Sequence, residues 1–459
     1  MRGTHGWAEV SRERKREIIE AIASNRATRG PVHAELDLTD RCNVACYFCN
    51  QQDLRTKESI PLPKLTALID ELVDGGLKSV RLSGGGDPLF HRDVLPTMDH
   101  LAKRGVIVDN LTTNGVALNA EVARRLVENK AREVIFSLNA VDAPDYARML
   151  QVKPALFDKV LENIRNLVAA RGDSIYPSIV VQFLIDKGNV TRLVEMYDLG
   201  RSLGVDRVAI NAVLEIPLER IDQNVLLTKD DREIAEPLVE EILRRDLGVG
   251  ILQVDFAVQG WNEMLDAVRR RVDSPAYNMY PTAPSFKQEN GGCFFAWYTA
   301  AITGNGDIRP CCLLLNPTVK PLGNIHDGQT FQQHWNGPAF TKMRDEMREV
   351  LLTKHKTPYS PQRFEIIKEP CVTDGLCWLK NMYFRGDEQF YAELDEALTK
   401  MRKNEIRVLG SERERKRAAM LFIQSHPRVK KAWDWARENS RPARRFLKSR
   451  LGWNVTDSV

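Results

Sequence analysis

Between Ala34 and Val213 the sequence alternates six times between a short run rich in Val, Ile and Leu and a longer amphipathic stretch. The short runs lie near Ala34–Leu38, Ser79–Leu82, Val106–Thr112, Glu133–Leu138, Ser178–Leu184 and Arg207–Val213. The longer ones lie near Leu62–Asp74, Arg92–Arg104, Ala120–Asn129, Phe157–Ala170 and Val190–Leu203, with a sixth after Pro217. Buried strands alternating with amphipathic helices predict an α/β fold with a parallel sheet and crossover helices. Right-handed crossovers curl six such units into a partial (β/α)6, TIM-like barrel. Ligand sites in such barrels lie at the C-terminal ends of the strands, so the loops that follow the strands are where chemistry is expected.

The loop after the first strand contains Cys42, Cys46 and Cys49, spaced C-x3-C-x2-C. Three thiolates on one short loop suit three irons of a cubane cluster, for which four cysteine ligands are the norm. A missing fourth thiolate leaves one iron open to a substrate or cofactor. The same spacing is open to a structural zinc loop, or to three unrelated buried thiols. After the second strand comes Ser83-Gly84-Gly85-Gly86-Asp87-Pro88. Glycines let backbone approach a ligand closely, although such a run also serves as a strand-to-helix turn with Pro at a helix start. The third strand ends in Thr112-Thr113-Asn114-Gly115 and the fourth in Ser137-Leu138-Asn139-Ala140. Gln182 and Asn211 are polar residues within otherwise apolar strands, either satisfied core amides or groups that face a ligand.

With these motifs in these places, the chain resembles the radical S-adenosylmethionine (SAM) superfamily. The resemblance implies that Cys42, Cys46 and Cys49 hold a [4Fe-4S] cluster whose open iron chelates SAM. Phe48, just before the last cysteine, fits the family pattern. Gly84, Gly85, Gly86 and Asp87 match the family's Gly-Gly-Glu-Pro element, which receives the methionyl amino group. Asp87 is a departure, and the resemblance implies that Asp87→Glu, which restores the commoner residue, is tolerated. Thr113 and Asn114 match a strand-three Thr-Asn-Gly near SAM, Ser137 is an implied contact of its ribose or carboxylate, and Gln182 is either a satisfied core amide or a group facing the ribose. Relatives usually read Ser-x-Asp on the fourth strand; here Asn139 replaces the acid and leaves only hydrogen bonding.

From Gly291 to Trp378 the texture changes to aromatics, Gly, Pro and five cysteines. Cys293 and Cys311 are joined as C-x12-G-x4-C through Gly306, and Leu322-Gly323-Asn324-Ile325 and Trp335-Asn336 follow. These features resemble the auxiliary-cluster extension called SPASM, or its shortened form, twitch. The resemblance implies a second [4Fe-4S] cluster on Cys293, Cys311, Cys371 and Cys377, with Cys312 as the odd cysteine. A zinc site on the same four thiolates is the alternative.

The expected organisation is an N-terminal helical extension (1–33), a radical SAM core (34–250), an auxiliary-cluster domain (251–395) and a basic helical tail (396–459). No apolar run reaches transmembrane length, and the N-terminus, with Arg12, Arg14, Lys15 and Arg16, is no secretory signal. A reducing, cytoplasmic compartment is therefore expected, where cysteines bind metal more often than they pair. Charge is unevenly placed. Met401 to Val459 holds sixteen Lys/Arg against six Asp/Glu, a net +10, and the rest carries −6 of the overall +4. That tail, with Trp433, Trp435 and Trp453, suits solvated helices packed on the body, or docking on an anionic membrane surface or acidic partner. No nucleic acid is expected.

The function implied is reductive cleavage of SAM to a 5′-deoxyadenosyl radical, with the electron drawn from a partner such as flavodoxin or ferredoxin. The expected substrate is a small molecule: a sugar, cyclitol or related natural-product intermediate undergoing dehydrogenation, epimerisation or dehydration. Only 33 residues precede the first strand, against the leader-binding domain of many peptide-modifying relatives, which weighs against the alternative of a ribosomal peptide maturase. A plain iron–sulfur electron carrier is the non-enzyme alternative, and it needs no open iron.

Overall fold

A computed structural model of the protein describes residues 10–26, 29–49, 51–52, 55–213, 223–255, 261–274, 293–311, 320–353, 384, 387–408 and 430. The six expected strands are β1 His33–Leu36, β2 Ser79–Leu82, β3 Ile107–Thr113, β4 Glu133–Ser137, β5 Ser178–Ile185 and β6 Arg207–Ala212. They pair in parallel, in sequence order. After an N-terminal helix, α1 Arg12–Ser24, the crossovers carry α2 Leu62–Asp74, α3 Val94–Lys103, α4 Ala120–Glu128, α5 Ala143–Leu150, α6 Leu156–Arg171 and α7 Leu193–Ser202. The helix α8, Arg232–Asp246, follows β6, while residues 218–222, directly after Pro217, lie outside the described residues.

Local chemistry accounts for these elements. In α2, Leu65, Leu68, Ile69 and Leu72 recur at helical spacing and are all buried, and the helix stops at Gly75. Helix α4 starts where Asn119 Oδ1 accepts from the Val122 amide at 2.9 Å. Helix α5 starts the same way, Asp142 Oδ1 accepting from the Asp145 amide at 2.8 Å, with Pro144 in its first turn.

The sheet is longer than the six strands legible in the sequence. A seventh, β7 Leu252–Asp255, pairs in parallel with β6. On the other side β8 Thr299–Ile302 pairs in parallel with β1, and β9 Asp307–Arg309 and β10 Gly323–Asn324 follow in antiparallel order. Among the described residues the result is one ten-stranded sheet. It runs through the boundary expected at residue 250, and the hairpin of the C-terminal region is part of it.

Gly200 on α7 identifies the two faces of the sheet. A methyl group there would stand 2.4 Å from Val208 Cγ2 and 3.1 Å from Val181 Cγ2, so these residues face the helices. By strand alternation, Gln182 on β5 and Ala209 and Asn211 on β6 face the lumen. Gln253 is in register with Ala209 and shares its face.

Further helices among the described residues are α9 Trp261–Val272, α10 Phe331–Trp335, α11 Pro338–Thr353 and α12 Glu388–Val408. Helix α10 docks on α2, where the Gln332 amide donates to Glu71 Oε1 at 2.7 Å. Arg344 on α11 is buried and donates to the carbonyls of Ala296 at 2.9 Å and Trp335 at 2.7 Å. Lys15 on α1 pairs with Asp387 at 2.6 Å, joining the N-terminal helix to the start of α12. Among the described residues no helix is long and apolar enough to cross a membrane. Trp433, Trp435, Trp453 and the rest of the tail beyond Val408, save Lys430, lie outside the described residues.

Candidate functional site

The cysteine loop leaves the C-terminal end of β1 and is fastened from several directions. The Ala45 amide donates to the Leu150 carbonyl at 3.0 Å and the Tyr47 amide to Met149 at 3.3 Å, which seats the loop on the end of α5. The Tyr47 hydroxyl donates to Asp186, just past β5, and Arg148 donates to the same carboxylate at 2.7 and 3.2 Å. Phe48 packs edge-on to Tyr47, with ring centroids 5.4 Å apart, and joins an apolar group of Leu184, Val213, Val225 and Leu226.

Two of the three sulfurs have side-chain donors. Asn114 Nδ2 lies 3.7 Å from Cys42 Sγ, and Arg55 Nη2 lies 3.4 Å from Cys49 Sγ. Arg55 also donates to the Gly85 carbonyl at 2.7 Å, so one guanidinium joins the cysteine loop to the glycine run. Burial pushes the Cys42 and Cys46 thiols up, and the neighbouring thiols push the same way. Deprotonating them needs compensating positive charge, which bound iron brings. Among the described residues no three His, Cys, Asp or Glu side chains converge on a single-ion cage. A cubane asks for less, since each thiolate takes a different iron. An all-thiolate loop with cationic and amide donors at its sulfurs fits such a cluster.

The glycine run makes its close approach to the protein itself. A methyl group on Gly84 would stand 1.7 Å from the Asp37 carboxylate, one on Gly85 2.5 Å from Asp40 Oδ1, and one on Gly86 2.0 Å from the Arg41 carbonyl. All three glycines therefore lie flat against residues 37–41, the entry to the cysteine loop. Gly84 also adopts φ 125°, which a side chain disfavours. The Gly85 amide donates to Asp37 Oδ2 at 3.2 Å, so both backbone groups of Gly85 are engaged internally. Any bulk at Gly85 strikes Asp40 before it meets a ligand.

Asp87 is likewise turned inward. It is 3% exposed and accepts from the Leu89 amide at 2.9 Å, the Thr113 hydroxyl at 2.9 Å and the Asn114 amide at 2.7 Å. Burial raises its pKa, against the pull of these donors. The carboxylate thus clasps the loop after β2 to the end of β3. Thr113 is buried and spends its hydroxyl on this clasp. Asn114 bridges to the cysteine loop, its amide nitrogen donating to Asn43 Oδ1 at 2.7 Å.

Asn139 has a local duty that an ionised acid cannot perform. Its Nδ2 donates to the Ser137 carbonyl at 3.3 Å while its Oδ1 accepts from the Leu184 amide at 3.0 Å, at φ 60°. A carboxamide both donates and accepts, whereas an ionised carboxylate only accepts. This closes the end of β4 onto β5.

Across the lumen face runs a row of neutral residues. Ser137 is in register with Gln182, Gln182 with Ala209, and Ala209 with Gln253. Asn211 stands two residues further along β6. The side-chain oxygens of Asn211 and Gln253 are buried with no hydrogen-bond partner among the described residues. Below the row, Arg207 pairs with Glu133, which also accepts from Asn110 at 3.0 Å. Gln253 was hidden in the sequence because β7 was; a polar residue between Leu252 and Val254 is the trace it leaves. Arg55, an isolated cation in an irregular loop, leaves none.

In the C-terminal region Cys293 is buried and Cys311 half-buried. Cys311 follows β9, and the Thr299 hydroxyl at the start of β8 donates to the neighbouring Pro310 carbonyl at 2.8 Å. The hairpin thus returns Cys311 to the end of β8 at which the Cys293 segment enters. Cys312, Cys371 and Cys377 lie outside the described residues.

Comparison with known proteins gives two family matches. Residues 36–199 match the radical SAM superfamily, and residues 293–359 match SPASM, an iron–sulfur cluster-binding domain. The chain is 27% identical over 205 residues to a probable GTP 3′,8-cyclase of Sulfurisphaera tokodaii, covering 44% of this chain and 62% of that protein. It therefore spans somewhat less than two thirds of that relative's length. The fold is similar to the crystal structure of Streptococcus suis SuiB, with a TM-score of 0.52, 18% identity and coverage of 72% of this chain and 71% of SuiB. It is also similar to anSMEcpe with bound AdoMet and Cp18Cys peptide, with a TM-score of 0.50, 14% identity and coverage of 81% and 98%.

Proposed function

Because the chain belongs to the radical SAM superfamily and carries a SPASM domain, we propose that it abstracts hydrogen from a neutral, hydroxyl-rich small molecule held in the barrel lumen. Its cofactors are SAM with a [4Fe-4S] cluster and auxiliary iron–sulfur. Cys42, Cys46 and Cys49 hold the SAM cluster in this reading, and Cys293, Cys311, Cys371 and Cys377 the auxiliary one. When bound, the cluster and SAM supply a 5′-deoxyadenosyl radical, which takes hydrogen from unactivated carbon.

The residues divide the remaining work. Arg55 and Asn114 offset the negative charge of the thiolates and hold the loop in place. Gly84, Gly86 and the backbone around them take the aminoacyl end of SAM, with Asp87 fixing the shape of that loop from behind. Phe48, Ser137 and Gln182 flank the nucleoside. A flavodoxin or ferredoxin in the cytoplasm delivers the electron, and the auxiliary cluster accepts or returns one after hydrogen abstraction.

The observation that carries the substrate class is the part of the row beyond the nucleoside, Ala209 and Gln253, with Asn211 above it. Two amide oxygens there need donors, and buried acceptors left unpaired are costly. Hydroxyl or amino groups of a sugar or cyclitol supply such donors, while Ala209 leaves room for a ring. The row itself offers no cation to a phosphate, and Asp255 is in register with Asn211, so the face suits a neutral or amino-bearing ligand better than a phosphorylated one.

The test uses the reconstituted enzyme with dithionite, SAM and deuterated candidate substrates. Deuterium should pass from a neutral polyol or aminocyclitol into 5′-deoxyadenosine, and Gln253→Leu should reduce that transfer while sparing substrate-free SAM cleavage. Transfer from a peptide, with none from any polyol, would overturn the substrate class and leave the superfamily chemistry standing.

A further inference from the structure

Tyr146 lies on α5, the helix whose last residues receive the cysteine loop through Met149 and Leu150. One turn back from that seat, Tyr146 is fully buried, with its ring 5.6 Å from Phe157. Its hydroxyl has no hydrogen-bond partner among the described residues. Buried phenols ordinarily find one, so this hydroxyl has a hydrogen bond left to give.

Its surroundings say what. Burial, and then Cys46, Asp87 and Cys42, raise the proton affinity of the phenol, so it remains a neutral donor. Those three residues frame the cysteine loop and the glycine run. Cys49 and Cys42 already have donors in Arg55 and Asn114. No side-chain donor reaches Cys46 among the described residues, and Cys46 lies between Ala45 and Tyr47, whose amides both bond to the end of α5.

We propose that Tyr146 donates its phenolic hydrogen bond to the iron–sulfur cluster on the Cys46 side and thereby raises the potential at which that cluster accepts an electron. The inference rests on the reading that Cys42, Cys46 and Cys49 hold the cluster. Reduction adds one negative charge, and a donor at a cluster sulfur stabilises the reduced form more than the oxidised one. With Arg55 and Asn114, Tyr146 completes a set of one donor for each corner of the loop.

The experiment is a potentiometric titration of reconstituted wild type and Tyr146→Phe, followed by electron paramagnetic resonance. The cluster under study is the one whose signal responds to added SAM. The variant should keep its iron and need a more negative potential, with about a tenfold fall in the reduced-to-oxidised ratio at a fixed potential, equivalent to about 59 mV for one electron. An unmoved midpoint in an iron-replete variant overturns the proposal. If Tyr146→Phe fails to retain iron, 3,5-difluorotyrosine at position 146 decides the matter. It keeps the hydroxyl and strengthens it as a donor, so the midpoint should move positive; no shift, or a negative one, overturns the proposal. A wild type without any SAM-responsive signal would instead remove the underlying reading as well.

Discussion

Gly304 lies against Asp40 so closely that a methyl group on it would stand 2.4 Å from the Asp40 amide nitrogen and 2.6 Å from Asp40 Oδ1. Gly85 meets the same carboxylate from the glycine run, and Thr56 donates to it. The residue that opens the cysteine loop is therefore shaped in part by the C-terminal hairpin. Gly304→Ala should cost about 1–3 kcal/mol, as overpacking of a tight contact does. It should also weaken SAM binding, although Gly304 belongs to the SPASM region. Thermal unfolding and calorimetric SAM titration report the two effects; wild-type values in both would show that the hairpin does not shape the loop.

Asp87 is the second place where structure changes the expectation. Family likeness implies that Asp87→Glu is harmless. The short carboxylate, however, is enclosed and accepts from Leu89, Thr113 and Asn114 at 2.7–2.9 Å. An added methylene has no room, and Asp87→Glu should destabilise by about 1–3 kcal/mol. Asp87→Asn keeps the size but points an amide at donors, with a loss of about the same size. Denaturant midpoints measure both, and a Glu variant as stable as wild type would show that the clasp tolerates lengthening.

Arg55 should prove as important to the cluster as a residue that does not ligate can be. Arg55→Met removes the donor to Cys49 and the tie to Gly85. Loss of an outer partner typically costs about 10–100-fold in metal affinity or activity. Iron retention against a chelator should fall within that range, with Arg55→Lys intermediate because it keeps the charge but not the fork. Identical chelation rates for wild type and Arg55→Met would remove Arg55 from the account.

Much of the barrel was legible in the sequence because long periodic segments carry their own evidence. The bounds of α2, Leu62–Asp74, follow from Leu65, Leu68, Ile69 and Leu72 and a flanking glycine. Helix α5 was not legible: at eight residues, with Pro144 near its start, it reads as a loop. Strands β7 and β8 are no shorter than β1 and β2, but they lie outside the strand–helix alternation that marks the first six, and Gln253 was missed with them. The cysteine spacing and glycine run pointed to the right loops, but their internal use did not show. That Gly84–Gly86 press on residues 37–41, and that Asn139 must donate and accept at once, depends on backbone positions that no one-dimensional pattern contains.

The central claim is that Cys42, Cys46 and Cys49 support reductive SAM cleavage, and one assay addresses it directly. Reconstituted wild type, reduced with dithionite and given SAM, should release 5′-deoxyadenosine and methionine. The variant with all three cysteines changed to Ala should lose about four irons per chain, form no 5′-deoxyadenosine, and still show an iron–sulfur Mössbauer signal from the C-terminal cysteines. Continued formation of 5′-deoxyadenosine by the triple variant would contradict the account.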